Sequence, residues 1–457
     1  MITYIKINGF KSFQNFEMEF TPFTVIAGTN ASGKSNLFDA LRLLSSLAEA
    51  DKLQTAFRKE QRGEIYELFT QYDENTYADE MDFCVEMLVN KTIKDAWGGE
   101  ATLKYTRLRY ELKIKRFKTE SGMESLAVTH EKLVNLKHQE DRWIKIIPQN
   151  MESWRPKVTG GRNPYIYEGD IDGKPAIIVS QDSEKGNKRM YPLENATRTV
   201  LSSFDTIDFR HILAAKEEMK SWRFLQLNPE DLRQPTSKRT GDDIISPSGK
   251  NLAASLYRID KEDSYSLVEI SRKLNKFLPN FTDVTITDDN ENKQYIISLR
   301  GADGKEYTSR VLSEGTLRLL TLLVLEQDIK HTGLLCFEEP ENGIHPFRIK
   351  TMVELLKDLT TDFSDTEMPL RQVIVNTHSP KLVDEVYNKF RNDSNTSIQF
   401  TRMTNRTISK NNKKINLQIS RIIPVEMDYE LPLFEVSEQD KKISITMLRE
   451  YLEQKEN

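Results

Sequence analysis

The sequence predicts an α/β protein with a mixed β-sheet, flanking helices and an antiparallel β lobe. Three observations carry that expectation. An apolar run, Phe23-Thr24-Val25-Ile26-Ala27, feeds a glycine-rich loop, Gly28-Thr29-Asn30-Ala31-Ser32-Gly33-Lys34-Ser35, which opens a helical stretch from Asn36 to Leu47. Two further short apolar runs end in polar clusters, one at Glu338-Glu339 and one at Asn376-Thr377-His378. Period-two alternation marks the N-terminal third, as at Phe16, Met18 and Phe20. Buried runs alternating with helical patterns indicate parallel strands, whereas strict alternation indicates a half-solvated antiparallel sheet.

The chain has 457 residues, beyond the size of a single core, so two lobes are expected. Its 65 basic and 70 acidic residues give a formal net charge of −5, which exerts no global pull toward nucleic acid. Cys84 and Cys336 form no CxxC motif and support no disulfide framework, which fits a reducing compartment. The N-terminus lacks a signal-peptide apolar region, and the run Leu319–Leu325 is too short to span a bilayer. The expectation is a soluble, cytoplasmic protein without a membrane segment of its own.

Residues 1–27 read as strands, interrupted by the turn Asn8-Gly9-Phe10-Lys11-Ser12-Phe13, which sets the Lys11 cation near the glycine loop. Residues 36–58 read as helix, with Leu37, Ala40, Leu41, Leu44 and Leu47 on one face. Residues 77–90 and 101–117 read as strands. In the second, Leu108, Tyr110, Leu112 and Ile114 face one way, and Arg107, Arg109, Lys113 and Lys115 the other. That stripe either tracks a phosphate backbone or is the solvated face of a sheet. From 118 to 200 glycine, proline and charge are frequent, which suggests an inserted α+β subdomain with Trp143 and Trp154 anchoring a small core. His130, His138, Glu140 and Asp141 lie within it as a metal-site candidate or a charged loop. Residues 205–224 return to helix, 233–250 read as a loop, and 251–277 as one or two amphipathic helices. A hairpin is expected where Val284–Thr287 and Tyr295–Leu299 flank Asp288–Asn292. Past residue 390 come strands near Ser397–Thr401 and Ile415–Ile419, a basic stretch from Lys410 to Lys414, and a charged terminal helix.

The glycine loop has the strand–loop–helix setting of a phosphate-binding loop. Its N–H groups and the helix N-terminus would cradle anionic oxygens, Lys34 would reach the β and γ phosphates, and Ser35 would ligate Mg²⁺. Glu338 and Glu339 close a buried strand, where two carboxylates are costly unless a cation or an active site balances them. In a nucleotide hydrolase the first acid orients the Mg²⁺ shell and the second activates water. His378 ends the next buried strand, on the ligand edge of a parallel sheet. Leu312-Ser313-Glu314-Gly315-Thr316 precedes an apolar helix and offers a second anion site, which makes sense if it serves the nucleotide of another subunit.

Together these stations resemble the ABC-type ATPase head, and the short separate head resembles the SMC, RecF and OLD group more than transporters. Ile5-Lys6-Ile7-Asn8-Gly9-Phe10-Lys11-Ser12-Phe13, Glu338-Glu339-Pro340-Glu341-Asn342-Gly343-Ile344-His345-Pro346 and Asn376-Thr377-His378-Ser379-Pro380 are similar to the OLD-like ATPases of bacterial defence and repair. By motif the resemblance covers residues 1–50 and 305–390. It implies a two-lobed P-loop head whose N-terminal part spans 1–117, a variable insertion over 118–250, the C-terminal part of the head over 251–390, and terminal strands and a helix over 391–457. It implies ATP and Mg²⁺, bound by Gly28, Thr29, Asn30, Ala31, Ser32, Gly33, Lys34, Ser35 and Asn36, with Ser35 and Glu338 toward the metal. Glu339 and His378 would be catalytic.

It further implies a homodimer, or a larger assembly of such pairs, sandwiching two nucleotides, with Ser313 and Gly315 of one copy closing on the γ-phosphate held by Lys34 of the other. His345 takes the place of the D-loop aspartate of transporters. Glu338 stands where aspartate is usual, and Glu314 and Thr316 depart from the transporter signature. The Q-loop is not placed by the sequence; Gln149 and Gln226 are candidates for its glutamine, neither with enough context to choose. No glutamate followed by a DxD-like pair ends a strand after His378, so the Toprim domain of OLD nucleases is missing here, and the nuclease, if the system has one, is expected on a separate polypeptide. The resulting expectation is an ATP-hydrolysing switch of a prokaryotic antiphage system, acting as sensor or regulator of a separately encoded nuclease or toxin. The rivals are a RecF/SMC-like repair ATPase that binds DNA and an ATP-dependent scaffold without catalysis.

Overall fold

The computed structural model describes the chain apart from residues 30, 61–63, 75, 147–150, 158–163, 183–186, 242, 411–412, 426, 428–445, 449, 452 and 454–457. Two sheets organise it. The central one has six strands in the order Arg223–Leu225, Gly333–Glu338, Arg371–Thr377, Phe23–Ala27, Thr396–Lys410 and Lys413–Pro424. The first five run parallel and the last turns back antiparallel. Phe23–Ala27 and Arg371–Thr377 are buried along their whole length. Burial on both faces is why these strands read as continuous apolar runs.

The second sheet has eight antiparallel strands, in the order Lys188–Pro192, Lys174–Ser180, Ile166–Ile171, Glu124–Asn135, Arg107–Lys118, Glu80–Leu88, Ile2–Asn8 and Phe16–Glu19. The helix Lys34–Glu49 lies between the sheets. Its Leu37, Phe38, Leu41 and Leu44 share one core with Ile5, Tyr110 and Leu112 of the antiparallel sheet and with Cys336 and Ile374 of the central one. On the other face of the central sheet, Leu320 and Leu323 of the helix Glu314–Gln327 pack with Val353 and Val386 of two later helices. Among the described residues no helix is long and apolar enough to cross a membrane. The architecture is the mixed α/β head with an antiparallel lobe that the motifs imply.

Several expectations change. The helical reading of 36–58 is two helices, Lys34–Glu49 and Leu53–Glu60. The reading of 205–224 as helix is corrected at its end. The helix covers Arg210–Lys220, and Arg223–Leu225 becomes the edge strand of the central sheet. The stretch after residue 118 builds no sheet of its own, because its strands extend the antiparallel sheet begun by residues 2–19. Trp143 and Trp154 likewise anchor it outward. The Trp143 indole donates to the Phe20 carbonyl at 2.7 Å, and that of Trp154 to the Phe363 carbonyl at 3.0 Å. Met1, Leu88 and Leu370 complete that cluster.

The histidine group does not form a metal site. His130 faces Glu168 and Glu111, His138 accepts from Arg155, and Asp141 is buried between arginines. Among the described residues no cluster of three or more His, Cys, Asp or Glu is arranged to hold a metal ion.

The cationic stripe is also corrected. Arg107 is 1% exposed and donates to Asp141 through Nε at 3.0 Å and Nη2 at 3.1 Å, with Thr3 taking Nη1 at 2.9 Å. Arg109 is committed to Glu86. Only Lys113 and Lys115 of the four remain exposed. Asp141 also receives Arg155 at 2.9 Å, so one buried carboxylate answers two buried guanidinium groups. Replacing Asp141 by Ala removes the carboxylate that Arg155 meets and leaves Arg107 only the longer carboxylate contact to Glu86 at 3.7 Å, and a loss of about 3–5 kcal/mol is expected in chemical denaturation. A shift within 0.5 kcal/mol, roughly that of an ordinary surface change, would contradict this account.

Candidate functional site

Parallel register brings distant residues to one edge. Leu225 pairs with Phe337, Glu338 with Asn376, and Thr377 with Ala27. The residues that follow those strands are Gln226, Glu339, His378 and Gly28. Strands from opposite ends of the chain, such as Phe23–Ala27 and Arg371–Thr377, therefore end side by side at the carboxyl edge, where open parallel sheets bind ligands. Gln226 is exposed on this edge, whereas Gln149 lies outside the described residues.

The glycine loop is pressed against its surroundings. Gly33 has φ of +95° and caps the helix Lys34–Glu49 without any side-chain bond, so the helix N–H groups stay open to an anion. A Cβ at Gly33 would meet the Ser420 hydroxyl at 1.8 Å, and one at Gly28 would meet that of Thr401 at 2.4 Å. Ser420 and Thr401 belong to the last two strands of the central sheet. Thr401 Oγ1 and Ser32 Oγ lie 2.8 Å apart, Ser420 donates to the Ser32 carbonyl at 3.2 Å, and Ser12 sits 2.7 Å from Ser420. Asn36 donates to Ser12 at 2.7 Å, extending the chain of hydroxyls into the helix. Ala31 adopts φ of +61°, Ser35 is exposed at the second helical position, and Asn30 lies outside the described residues.

Lys34 Nζ donates to the carbonyls of Gly28 and Thr29 at 2.7 and 2.8 Å. Burial pulls its ammonium below the usual lysine range, and Glu339 and Glu341 act against that. A cavity of about 420 Å³ opens beside Gly28, Thr29, Ala31 and Ser32, closed on its far side by Arg402 and Tyr451. A larger one, about 590 Å³, lies between Phe16–Glu19 and Ile419–Pro424, with Glu17, Glu19, Arg406 and Arg421 in its lining. A cradle too tight for any Cβ, open helix N–H groups and a lysine at its mouth suit a bound polyphosphate.

The two acids have different surroundings. Glu338 accepts from Arg42 at 3.0 Å, and Arg42 lies over the Phe224 ring. Arg42 also reaches Asp39, which takes Lys11 at 2.6 Å, so Lys11 is spent inside the protein. Glu339 has φ of +46°, a strained backbone for a residue with a Cβ. Its carboxylate is held between His378 Nδ1 at 2.9 Å and Asn342 Nδ2 at 2.8 Å, and stays part-exposed. An exposed carboxylate braced on both oxygens is geometrically able to accept a proton from water. Glu341, two residues on, is buried and accepts from Thr377. Burial pushes its carboxyl above the usual carboxylate range, with the Thr377 bond opposing.

Ser313 caps the helix Glu314–Gln327, accepting from the Thr316 N–H at 3.2 Å. Gly315 is pressed to the turn that follows Glu339, where a Cβ would meet the Gly343 carbonyl at 2.8 Å. His345 caps the next short helical turn and stacks on Phe347. The structure thus joins the serine station to the acid turn. Sequence reasoning missed Arg42, the Glu341–Thr377 contact and the hydroxyls of Thr401 and Ser420. None carries a motif, since a threonine or serine in a strand looks the same whether or not it touches a loop.

A model of the family described as "AAA domain, putative AbiEii toxin, Type IV TA system" matches residues 23–384. The chain belongs to that family. By that family it is an AAA-domain protein, and ATPases of this kind use ATP, typically with Mg²⁺. No curated protein matches its sequence significantly. Solved structures similar to it include the SmcHead bound to the C-winged helix domain of ScpA (13% identity, 93% of this chain and 98% of that one, TM-score 0.49). They also include an SMC head domain from Thermotoga maritima (13%, 93% and 99%, TM-score 0.37). A third is the Smc head domain with an extended coiled coil bound to the C-terminal domain of ScpA from Pyrococcus furiosus (13%, 98% and 98%, TM-score 0.42).

The hydroxyl contacts make a graded test. Each is worth about 1 kcal/mol, so Ser420→Ala should weaken ATP binding about fivefold by relaxing the loop. Isothermal titration of ATP reads this directly. Unchanged affinity in the double variant Thr401→Val, Ser420→Ala would show that the loop holds its shape alone.

Proposed function

We propose that this AAA-domain protein hydrolyses ATP to ADP and phosphate as a conformational switch. The observation that carries the reading is Glu339, braced by His378 and Asn342 on the edge from which the glycine loop leaves. Gly28 to Asn36, Asn30 among them, hold the triphosphate through backbone N–H groups. Lys34 turns from the Gly28 and Thr29 carbonyls toward the β and γ phosphates. Ser35 and Glu338 would hold Mg²⁺, which neutralises charge on the phosphate oxygens when bound. Glu339 takes the proton of the attacking water, and His378 contacts the γ-phosphate. Gln226, at the tip of the edge strand next to Glu338, is our choice for the Q-loop glutamine.

Ser313 and Gly315 serve the nucleotide of a second copy, so ATP closes a homodimer and hydrolysis reopens it. The contact between Gly315 and Gly343 supports this, because it ties the station for one nucleotide to the turn that follows the base of the other. The setting we propose is a prokaryotic antiphage or toxin–antitoxin system of OLD-like kind, in the cytoplasm, with a separately encoded effector. The family description, which names a toxin and a Type IV system, supports that setting. A tagged chain should bring the effector down with it.

Lys34→Ala should abolish ATP binding, measured by titration. Glu339→Gln should lower kcat by roughly 10²–10⁴-fold with binding retained, as loss of a general base does. It should also hold an ATP-dependent dimer that light scattering detects as a doubled mass. Turnover equal to the parent in both variants would end the hydrolytic reading.

A further inference from the structure

Glu338 and Asn376 are register partners on neighbouring strands. Two residues earlier on each strand, Cys336 and Ile374 belong to the core that holds Leu37, Phe38 and Leu41 of the helix Lys34–Glu49. Side chains alternate along a strand, so Glu338 and Asn376 face that same helix. Asn376 is 4% exposed, and its Oδ1 is buried without a hydrogen-bond partner among the described residues. An orphaned amide oxygen is costly in an interior. Beside a carboxylate, it suits a donor or a hydrated cation at this face. Mg²⁺ is commonly held by one or two carboxylates together with phosphate oxygens and waters, so Glu338 with Ser35 fits it without a larger acidic cluster.

The Glu338 carboxylate has one brace. Arg42 Nη2 donates to its Oε1 at 3.0 Å, and among the described residues no other hydrogen bond reaches either oxygen. Arg42 is itself fixed. Its guanidinium lies 5.1 Å from the centre of the Phe224 ring, and its Nη1 reaches Asp39 Oδ1 at 3.4 Å. Asp39 Oδ2 takes Lys11 Nζ at 2.6 Å, and Lys11 is set in a turn, with φ of +44° and its N–H on the Leu68 carbonyl at 3.0 Å. Lys11, Asp39, Arg42 and Glu338 thus alternate in sign from the first turn of the chain to the strand tip. A glutamate has one more rotatable bond than an aspartate, so its carboxylate needs more ordering.

We propose that Arg42 is a positioning residue for the metal-side acid. It takes Oε1 of Glu338 and leaves Oε2 for the divalent cation that accompanies the nucleotide. The role rests on Glu338 being that acid. Outer partners that orient a ligating carboxylate are commonly worth about 10–100-fold in metal affinity. A guanidinium that only competed with the cation would act with the opposite sign, and its removal would tighten the metal.

Mn²⁺ is the probe, titrated into protein that carries Glu339→Gln and is loaded with ATP, with free Mn²⁺ read by electron paramagnetic resonance. Added to that background, Arg42→Ala should weaken Mn²⁺ by about tenfold or more. Arg42→Met keeps the stem over Phe224 without a donor and should lose as much, which covers an alanine variant that does not fold. Arg42→Lys, whose ammonium can still take Oε1, should recover most of the loss. In a Glu338→Asp background, where the shorter carboxylate draws back from Arg42, Arg42→Ala should add less than about twofold. Mn²⁺ bound as tightly after Glu338→Ala as before it would remove the metal-side acid and this role with it. Weaker Mn²⁺ after Glu338→Ala, but equal or tighter Mn²⁺ after Arg42→Ala and Arg42→Met, would overturn the positioning role alone and leave the hydrolytic reading standing.

Discussion

Everything at the site depends on the in-register parallel pairing of a few fully buried strands. Phe23–Ala27 contributes five paired residues to each neighbour, and its place between Arg371–Thr377 and Thr396–Phe400 aligns the glycine loop with His378 on one side and Thr401 on the other. Because side chains alternate along a strand, a slip of one residue would invert every buried side chain. The packing cost of moving Val25, Val373 or Val375 out of one core and into the other, where Ile26 and Ile374 sit, therefore maintains the geometry of polar groups that could not hold each other in place.

That constraint explains what was legible in the chain. Short buried runs ending in glycine, paired acids or histidine carry their position in their pattern, so the edge could be assembled from sequence. The helix after the loop was equally plain from its leucine spacing. Arg107 was misleading for a physical reason. Period-two alternation places it on the polar face, and only the tertiary structure supplies Asp141 to make that face an interior. The stretch after residue 118 was hard to read because glycine, proline and charge interrupt it, although its sheet is continuous with the first strand of the chain. The edge strand Arg223–Leu225 spans three residues, too few for any periodicity to show.

The site combines tight and strained elements in different places. The glycine loop stores little freedom, since neither Gly28 nor Gly33 has room for a methyl group. Glu339 holds an unfavourable backbone angle at the position where a carboxylate is presented to solvent. Such a residue persists only when its surroundings over-determine it, and here the Asn376 carbonyl, His378 and Asn342 all engage it. Rigid phosphate cradle and strained carboxylate thus share one sheet edge but draw on separate supports.

Those supports have one consequence for communication through the molecule. The hydroxyls of Thr401 and Ser420 belong to the hairpin of the last two strands, and the same hydroxyls touch Ser32 and crowd Gly33. The hairpin and the loop therefore share one joint, and neither can shift there without breaking the hydroxyl contacts that fit them together.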